Sequence, residues 1–262
     1  MRSIALEPAS RWSHAELAEL FTAAYEGYFM PVQLDEAAFT AMASASDFDL
    51  DASRVALDGD EPVGLCNLGL RGEDAWIGGV GVVAHRRGEG IGKQLMHAAH
   101  DAARAHGVRR VWLEVLVQNE PAIRLYEQLG YEHVRELEVW TLGELVFRKH
   151  KVSPVPLAEA LGRSGGREPW QRSDASVANL EGVEALAGER GAIVYRSTGG
   201  VVSLLQGAAE DEAAARELLE SLPAGTPGVR WLKGPAGDPF NAAFASLGGT
   251  EVARQHEYVL AL

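Results

Sequence analysis

The sequence of 262 residues holds one cysteine, Cys66. That excludes an internal disulfide framework and a metal site built from several cysteines. Cys66 lies inside an apolar run with no histidine or base beside it, so it reads as a buried structural thiol rather than a nucleophile. Basic residues are also scarce: 24 lysines and arginines stand against 37 acidic residues, a net charge of −13. This balance argues against a nucleic-acid surface and suits a cationic partner. The histidines lack metal spacing. His97 and His100 are i, i+3 on a helix with no third ligand in pattern, so no metal is expected. No uninterrupted apolar run reaches the roughly 20 residues that span a bilayer. The opening Met1-Arg-Ser-Ile-Ala-Leu-Glu-Pro is too short and too polar for a secretory signal. The expectation is therefore a cytoplasmic protein without membrane or nucleic-acid partners. Its apolar content of 47% suffices for one large or two ordinary domains.

Glycine, by contrast, is plentiful. The stretch Trp76-Ile-Gly-Gly-Val-Gly-Val-Val-Ala-His-Arg-Arg-Gly-Glu-Gly-Ile-Gly-Lys runs from a β-branched apolar segment into Gly88, Gly90 and Gly92. A long amphipathic helix opens directly on that loop, with Ile91, Leu95, Ala98, Ala99 and Ala102 as its apolar stripe. A helix N-terminus carries unpaired N–H groups and a partial positive charge. Glycines let an anion approach that backbone closely, and His85, Arg86, Arg87 and Lys93 add positive charge. This is the pattern of a phosphate cradle. It is not a Walker loop, because Gly92-Lys93 is followed by Gln94 and the first glycine position is Arg87. Nor does its glycine spacing match the dinucleotide fingerprint.

What fits is R/Q-x-x-G-x-G/A, met by Arg87-Gly-Glu-Gly90-Ile-Gly92. Downstream stand Leu113-Glu-Val, Asn119, Ala122, Leu125-Tyr126-Glu and Gly130-Tyr131. Together these resemble the two adjacent motifs of the GNAT acetyltransferase superfamily over residues 1–145. The resemblance implies an α/β fold of mixed sheet with acetyl-CoA as co-substrate. Arg87, Gly88, Glu89, Gly90, Ile91, Gly92 and Lys93 would hold the pyrophosphate. The pantetheine arm would lie along Val80, Gly81 and Val82, with the Val82 N–H facing the thioester carbonyl. Asn119 would contact the pantetheine, or act simply as a helix N-cap. Tyr126 would be the general acid that protonates the departing thiolate, and Glu114 the base that deprotonates the amine. The structural alternatives are a half-buried core tyrosine and a salt-bridged strand glutamate. The acceptor, a primary amine and cationic in water, would meet Tyr25, Tyr28, Phe29 and Trp140, each of which could equally be core. Besides an N-acetyltransferase, the motifs admit a silent acyl-CoA-binding sensor or scaffold, and an acyltransferase for a longer acyl group.

Hydrophobic periodicity and turn residues outline the rest of the chain. Strands are expected at 2–7, 54–58, 62–70, 75–83, 109–117, 131–140 and 144–147. Helices are expected from a capping box at Ser13 and Glu16, from a cap at Asp35, at 90–106 and after Glu120. Proline, glycine and serine dilute 149–172, which reads as a linker or crossover. Strands return at 192–196, 201–206, 229–233 and 250–262, with helices at 210–222 and 239–247. Pro121 and Pro239, Tyr126 and Phe244, and Gly130 and Gly248 are each 118 positions apart, which suggests a duplication. In the second copy Glu210, Asp211 and Glu212 precede the helix, and Glu114, Asn119 and Tyr126 become Leu232, Gly237 and Phe244. The domains expected are an acetyltransferase at 1–148, a linker at 149–172 and a degenerate second copy at 173–262. The whole is a tandem, two-lobed monomer or homodimer.

Overall fold

The computed structural model describes residues 4–163 and 166–262. By packing, the chain forms two units. One comprises the chain through His133 together with Tyr258–Leu262, and the other Val134–Glu257.

The first unit is a sheet covered on both faces. Strands β1 (Ile4–Pro8), β2 (Arg54–Asp58), β3 (Glu61–Arg71) and β4 (Asp74–Val82) are antiparallel neighbours. Gly59, with φ 65°, makes the β2–β3 turn. Strand β5 (Arg110–Leu116) then joins β4 in parallel, and the end of the last strand lies beside β5. There the Leu262 N–H donates to the Arg109 carbonyl at 2.9 Å.

Four helices accompany this sheet: α1 (His14–Ala24), α2 (Glu36–Ala45), α3 (Ile91–Ala105) and α4 (Glu120–Gln128). The capping box forms as its spacing predicts. Ser13 accepts from Glu16 N–H, and the Glu16 carboxylate accepts from Ser13 N–H, an arrangement worth about 1 kcal/mol. Asp35 caps α2 through Ala38 N–H. Helix α1 lies over Gly79 and Gly81 of β4, and α3 faces Gly64 of β3 through Leu95. Leu17, Phe39, Leu65, Leu68, Leu95, Met96 and Leu113 are fully buried between these layers.

The second unit begins inside β6 (Glu132–Leu142). It continues through β7 (Ser153–Pro154), α5 (Leu157–Ala160), α6 (Asp174–Ala178), β8 (Val183–Gly188), β9 (Gly191–Thr198) and β10 (Val201–Ala209). Helix α7 (Glu212–Glu220), β11 (Val229–Pro235), α8 (Pro239–Ser246) and β12 (Thr250–Ala261) follow, β12 crossing the boundary at Tyr258. Its strand order is β6-β11-β10-β9-β8-β7. Only β10 and β11 among these pair in parallel. Its main core gathers Ile193, Leu204, Leu219, Trp231, Phe240 and Phe244.

Several expectations change. Packing divides the chain at His133 and Glu257, not at 148 and 172, because β6 pairs with β11 while the chain's last residues pair beside β5. Of the expected strands at 131–140 and 144–147, only the first forms, as Glu132–Leu142. Residues 144–147 form none, and Val146 and Phe147 are exposed. The expected linker carries β7 and α5, and Ala160 joins a small core with Val177, Ala185 and Val194. Sequence periodicity missed β8 and also α6, which at five residues is little more than one turn. Of the expected first strand, residues 2 and 3 lie outside the described residues, as do Ser164 and Gly165 of the linker. The 118-residue offset holds for β6 and β12, which open at Glu132 and Thr250, and becomes 119 for β5 and β11, which open at Arg110 and Val229. It fails upstream, where α3 has 15 residues and α7 has 9.

Candidate functional site

Strands β4 and β5 pair only at Asp74–Arg110, Ala75–Val111 and Trp76–Trp112. Beyond that row they part, so the second half of β4 presents polar backbone to an unpaired gap. Val83 N–H donates to Val63 of β3 at 3.0 Å. By strand alternation, the N–H groups of Val82 and Val80 point the opposite way, toward the gap. An irregularity between Asn67 and Leu68 gives β4 one extra residue there. Gly78 sits in this bulge, where a Cβ would lie 2.3 Å from the Phe48 ring.

The glycine loop follows β4. Gly88 and Gly90 have φ of 82° and 79°, a region that side chains rarely adopt. A Cβ added at either would touch nothing within 4 Å, so the concavity in front of them is open. Gly90 is the N-cap of α3 and has no side chain to cap it. The first-turn N–H groups of α3, from Ile91, Gly92 and Lys93, lack intrahelical acceptors by geometry. Lys93 is exposed on that turn and forms no ion pair among the described residues.

The other charges are distributed differently from the sequence expectation. Arg86 pairs with Asp58 and with Glu89, the latter at 3.0 Å, so the Glu89 carboxylate is neutralised within the loop. The Arg87 guanidinium donates to the carbonyls of Val82, Ala24 and Glu26 at 3.0, 2.9 and 2.7 Å. It braces the loop against β4 and the end of α1. Its partners are neutral, so its charge still adds positive potential beside the cradle.

Four tyrosines gather next to the gap. Tyr25 stacks on Phe21 with centroids 4.5 Å apart and meets Tyr28 edge-on at 5.1 Å. Tyr126 on α4 lies 5.8 Å from Tyr131, whose hydroxyl is 2.8 Å from His100 Nε2. Burial, reinforced by Tyr25, Cys66 and Tyr28, pushes the Tyr126 phenol well above its ordinary 10. Its hydroxyl makes no hydrogen bond among the described residues. Asn119 caps α4 through Ala122 N–H, and its side chain lies near the Tyr28 hydroxyl. A cleft of about 270 Å³ at the end of α1 and the loop after it is lined by Thr22, Tyr25, Glu26, Tyr28, Pro31 and Gln33.

Glu114 stands on β5 just past the paired row, and its carboxylate accepts from the Trp76 indole at 2.9 Å. Cys66 is fully buried on β3 opposite Val80, and burial pushes its thiol up to about 12. At neutral pH it is a packed thiol, as its sequence setting suggests. Trp140 is in the second unit, paired across from Trp231. Among the described residues no group of histidine, cysteine or acidic side chains could hold a metal, and no helix is long and apolar enough to cross a membrane.

The second unit repeats the frame. Strands β10 and β11 pair at three positions, ending at Leu204–Trp231, and then part. Here the gap is filled by Arg172, a residue that no sequence signal singled out. It is 2% exposed and donates to Leu205 and Lys233 carbonyls, each at 2.8 Å. It lies 3.8 Å over the Trp231 ring, and Glu168 balances its charge at 3.0 Å. At the head of α7, the Asp211 carboxylate accepts from Ala214 N–H at 2.8 Å and pairs with Arg190. A side-chain anion thus occupies the helix terminus that is open in the first unit.

Parted parallel strands, a glycine-lined helix head and a buried phenol beside them make up the candidate site of the first unit. Residues 14–131 match the acetyltransferase (GNAT) family, so the chain carries a GNAT-family domain over that span. Streptothricin acetyltransferase of Streptomyces lavendulae is 38% identical over 82 residues, covering 29% of this chain and 41% of that protein. N-alpha-acetyltransferase 30 of Schizosaccharomyces pombe is 34% identical over 90 residues, covering 32% and 60%. Mycothiol acetyltransferase of Corynebacterium glutamicum is 36% identical over 93 residues, covering 35% and 32%. The chain thus spans between about a third and three fifths of these relatives.

Among solved structures, a tandem GNAT protein from the clavulanic acid biosynthesis pathway superposes with a TM-score of 0.68 at 15% identity, covering 99% of this chain and 98% of that one. A GCN5-related N-acetyltransferase from Sphaerobacter thermophilus gives 0.68 at 16%, covering 98% and 95%. These likenesses show the fold, a tandem GNAT arrangement.

Proposed function

We propose that the protein is an N-acetyltransferase that binds one acetyl-CoA per chain, in its first unit, and passes the acetyl group to a primary amine by direct attack. The observation that carries this is the contrast between the two units. The first has an open gap and an uncapped, glycine-lined helix head, whereas the second has both places filled by Arg172 and Asp211. The second unit is then a degenerate copy that does not bind cofactor, and the site residues are those of the first.

In this reading the first turn of α3, with Gly88, Gly90 and Lys93, holds the pyrophosphate, and the gap edge around Val80, Gly81 and Val82 receives the end of the pantetheine arm and its acyl thioester, the carbonyl at the Val82 N–H. Glu114 takes a proton from the ammonium form of the acceptor. The neutral amine attacks the thioester carbonyl, and the carbon–nitrogen bond forms as the oxygen takes up charge. The carbon–sulfur bond then breaks and Tyr126 gives its proton to the thiolate. The Tyr126 phenol, buried beside the gap, carries its proton at neutral pH and so has one to give. After the carbon–nitrogen bond forms, the nitrogen loses a second proton, which restores the phenol through solvent, while Glu114 releases the first to solvent, so ammonium and thioester give amide, thiol and one proton. The relatives named for streptothricin, for mycothiol and for N-alpha acetylation differ in acceptor. The acceptor here is accordingly put at the level of a primary amine on a small molecule or peptide.

The test is a panel of aminoglycosides, polyamines, amino acids and peptides with acetyl-CoA, read as free thiol, beside calorimetry of acetyl-CoA alone. Thiol release with a stoichiometry of one is expected. Two equivalent sites would contradict the assignment of the second unit. Tight binding with no release across the panel would favour a sensor.

A further inference from the structure

At the end of α1, Tyr25 packs over β4 beside the gap in the first unit. A chain anchored at the glycine loop and running along β4 passes Val82 first and Val80 next. These two N–H groups face the same way, two residues or about 6.6 Å apart. The Tyr25 hydroxyl lies beside the Val80 backbone, so it stands at the edge of the gap. The Tyr25 ring also roofs the adjoining strand. A Cβ at Gly81 would come within 3.2 Å of the ring and 2.9 Å of Ala24 Cβ, and one at Gly79 within 3.1 Å of the hydroxyl and 2.8 Å of Phe21. Not even a methyl group fits over those two glycines. Phe21, stacked behind at 4.5 Å, holds the ring in place.

We propose that Tyr25 is the acyl-length gauge of this site. An acyl group whose carbonyl is held at Val82 meets the Tyr25 hydroxyl and ring just past an acetyl methyl, so acetyl is accepted and propionyl and longer groups are refused. This rests on the reading of the first unit as an acyl-CoA site and deepens it by naming the donor. A pocket wall that excludes one methylene discriminates by roughly 10–200-fold.

The experiment measures calorimetric Kd values for free CoA, acetyl-CoA, propionyl-CoA and butyryl-CoA with the full-length protein, which needs no knowledge of the acceptor. Wild type should bind acetyl-CoA at least about tenfold more tightly than butyryl-CoA. Tyr25→Ala should bring that ratio to within about twofold, chiefly by tightening butyryl-CoA. Tyr25→Leu, which keeps apolar contact with Phe21, should lower it in the same direction. Free CoA reports whether each variant's site is intact. A wild type that binds butyryl-CoA as tightly as acetyl-CoA overturns the proposal, and so do variants that bind CoA with the wild-type ratio. Loss of CoA binding in both variants also counts against it, because Tyr25 would then be a prop of the fold. A wild type that binds no CoA species is a separate failure, that of the acyl-CoA site itself.

Discussion

Tyr126 and His100 show how burial changes the chemistry of an ordinary side chain. Removing water from around Tyr126 disfavours the phenolate and leaves a proton donor beside the gap. Tyr126→Phe keeps the ring and its packing and loses only the proton. Turnover should fall by about 10²–10⁴-fold while acetyl-CoA affinity changes little, as stopped-assay thiol release and calorimetry would show. Wild-type turnover would make Tyr126 a core residue only. His100 is the opposite case. Burial, helped by Arg104 and His97, lowers its imidazole from 6.5 to about 4. Below pH 6.5 the unfolded chain takes a proton that the folded chain refuses, so this residue contributes a loss of stability as pH falls from 6.5 toward 4. Denaturant midpoints measured across that range should fall with pH, and the slope should flatten in His100→Gln. An unchanged slope would mean that His100 accepts its proton in the folded state.

At the scale of elements, the loop from β4 into α3 works because it has so little side chain. Gly90 needs a positive φ and leaves open space before the helix head. Gly90→Val adds strain and fills that space, so acetyl-CoA affinity should drop by more than about tenfold, with the far-ultraviolet spectrum unchanged. An unaltered Kd would show that the anion binds elsewhere. Helix α7 illustrates the complementary solution. Asp211 supplies the negative charge that a helix head attracts, so no external anion is required. Arg172 similarly supplies donors to the carbonyls of strands β10 and β11 where they part.

For the molecule as a whole, the decisive feature is where the chain's last residues go. Tyr258 is 3% exposed and donates its hydroxyl to Glu127, while Leu260 and Leu262 pack on the first unit's core. A fragment of residues 1–148 therefore lacks a piece of the unit it was expected to contain. Deleting residues 258–262 from the full chain should destabilise the first unit by about 3–5 kcal/mol, given roughly 1.5–3 kcal/mol for each well-buried large side chain. Chemical denaturation should show an earlier transition with weakened acetyl-CoA binding. A truncated chain with the wild-type midpoint would mean that this strand end is dispensable.

Sequence alone determined the local parts, because local rules suffice for them. Ser13 and Glu16 spell a capping box, Gly59-Asp60 a hairpin turn, and Gly88, Gly90 and Gly92 before an amphipathic stripe a phosphate cradle. The repeat of Pro121, Tyr126 and Gly130 at Pro239, Phe244 and Gly248 announced a second unit, and Asp211 its altered helix head. Tertiary structure decided everything that depends on which strands become neighbours. Strand β6 and the end of β12 have similar local patterns, and their partners are settled by long-range pairing that no window of residues encodes. The same holds for Arg172, whose place between two parted strands follows from contacts 33 and more positions away. It holds also for Tyr25, whose hydroxyl meets the gap only because α1 packs onto a strand that glycine has left bare.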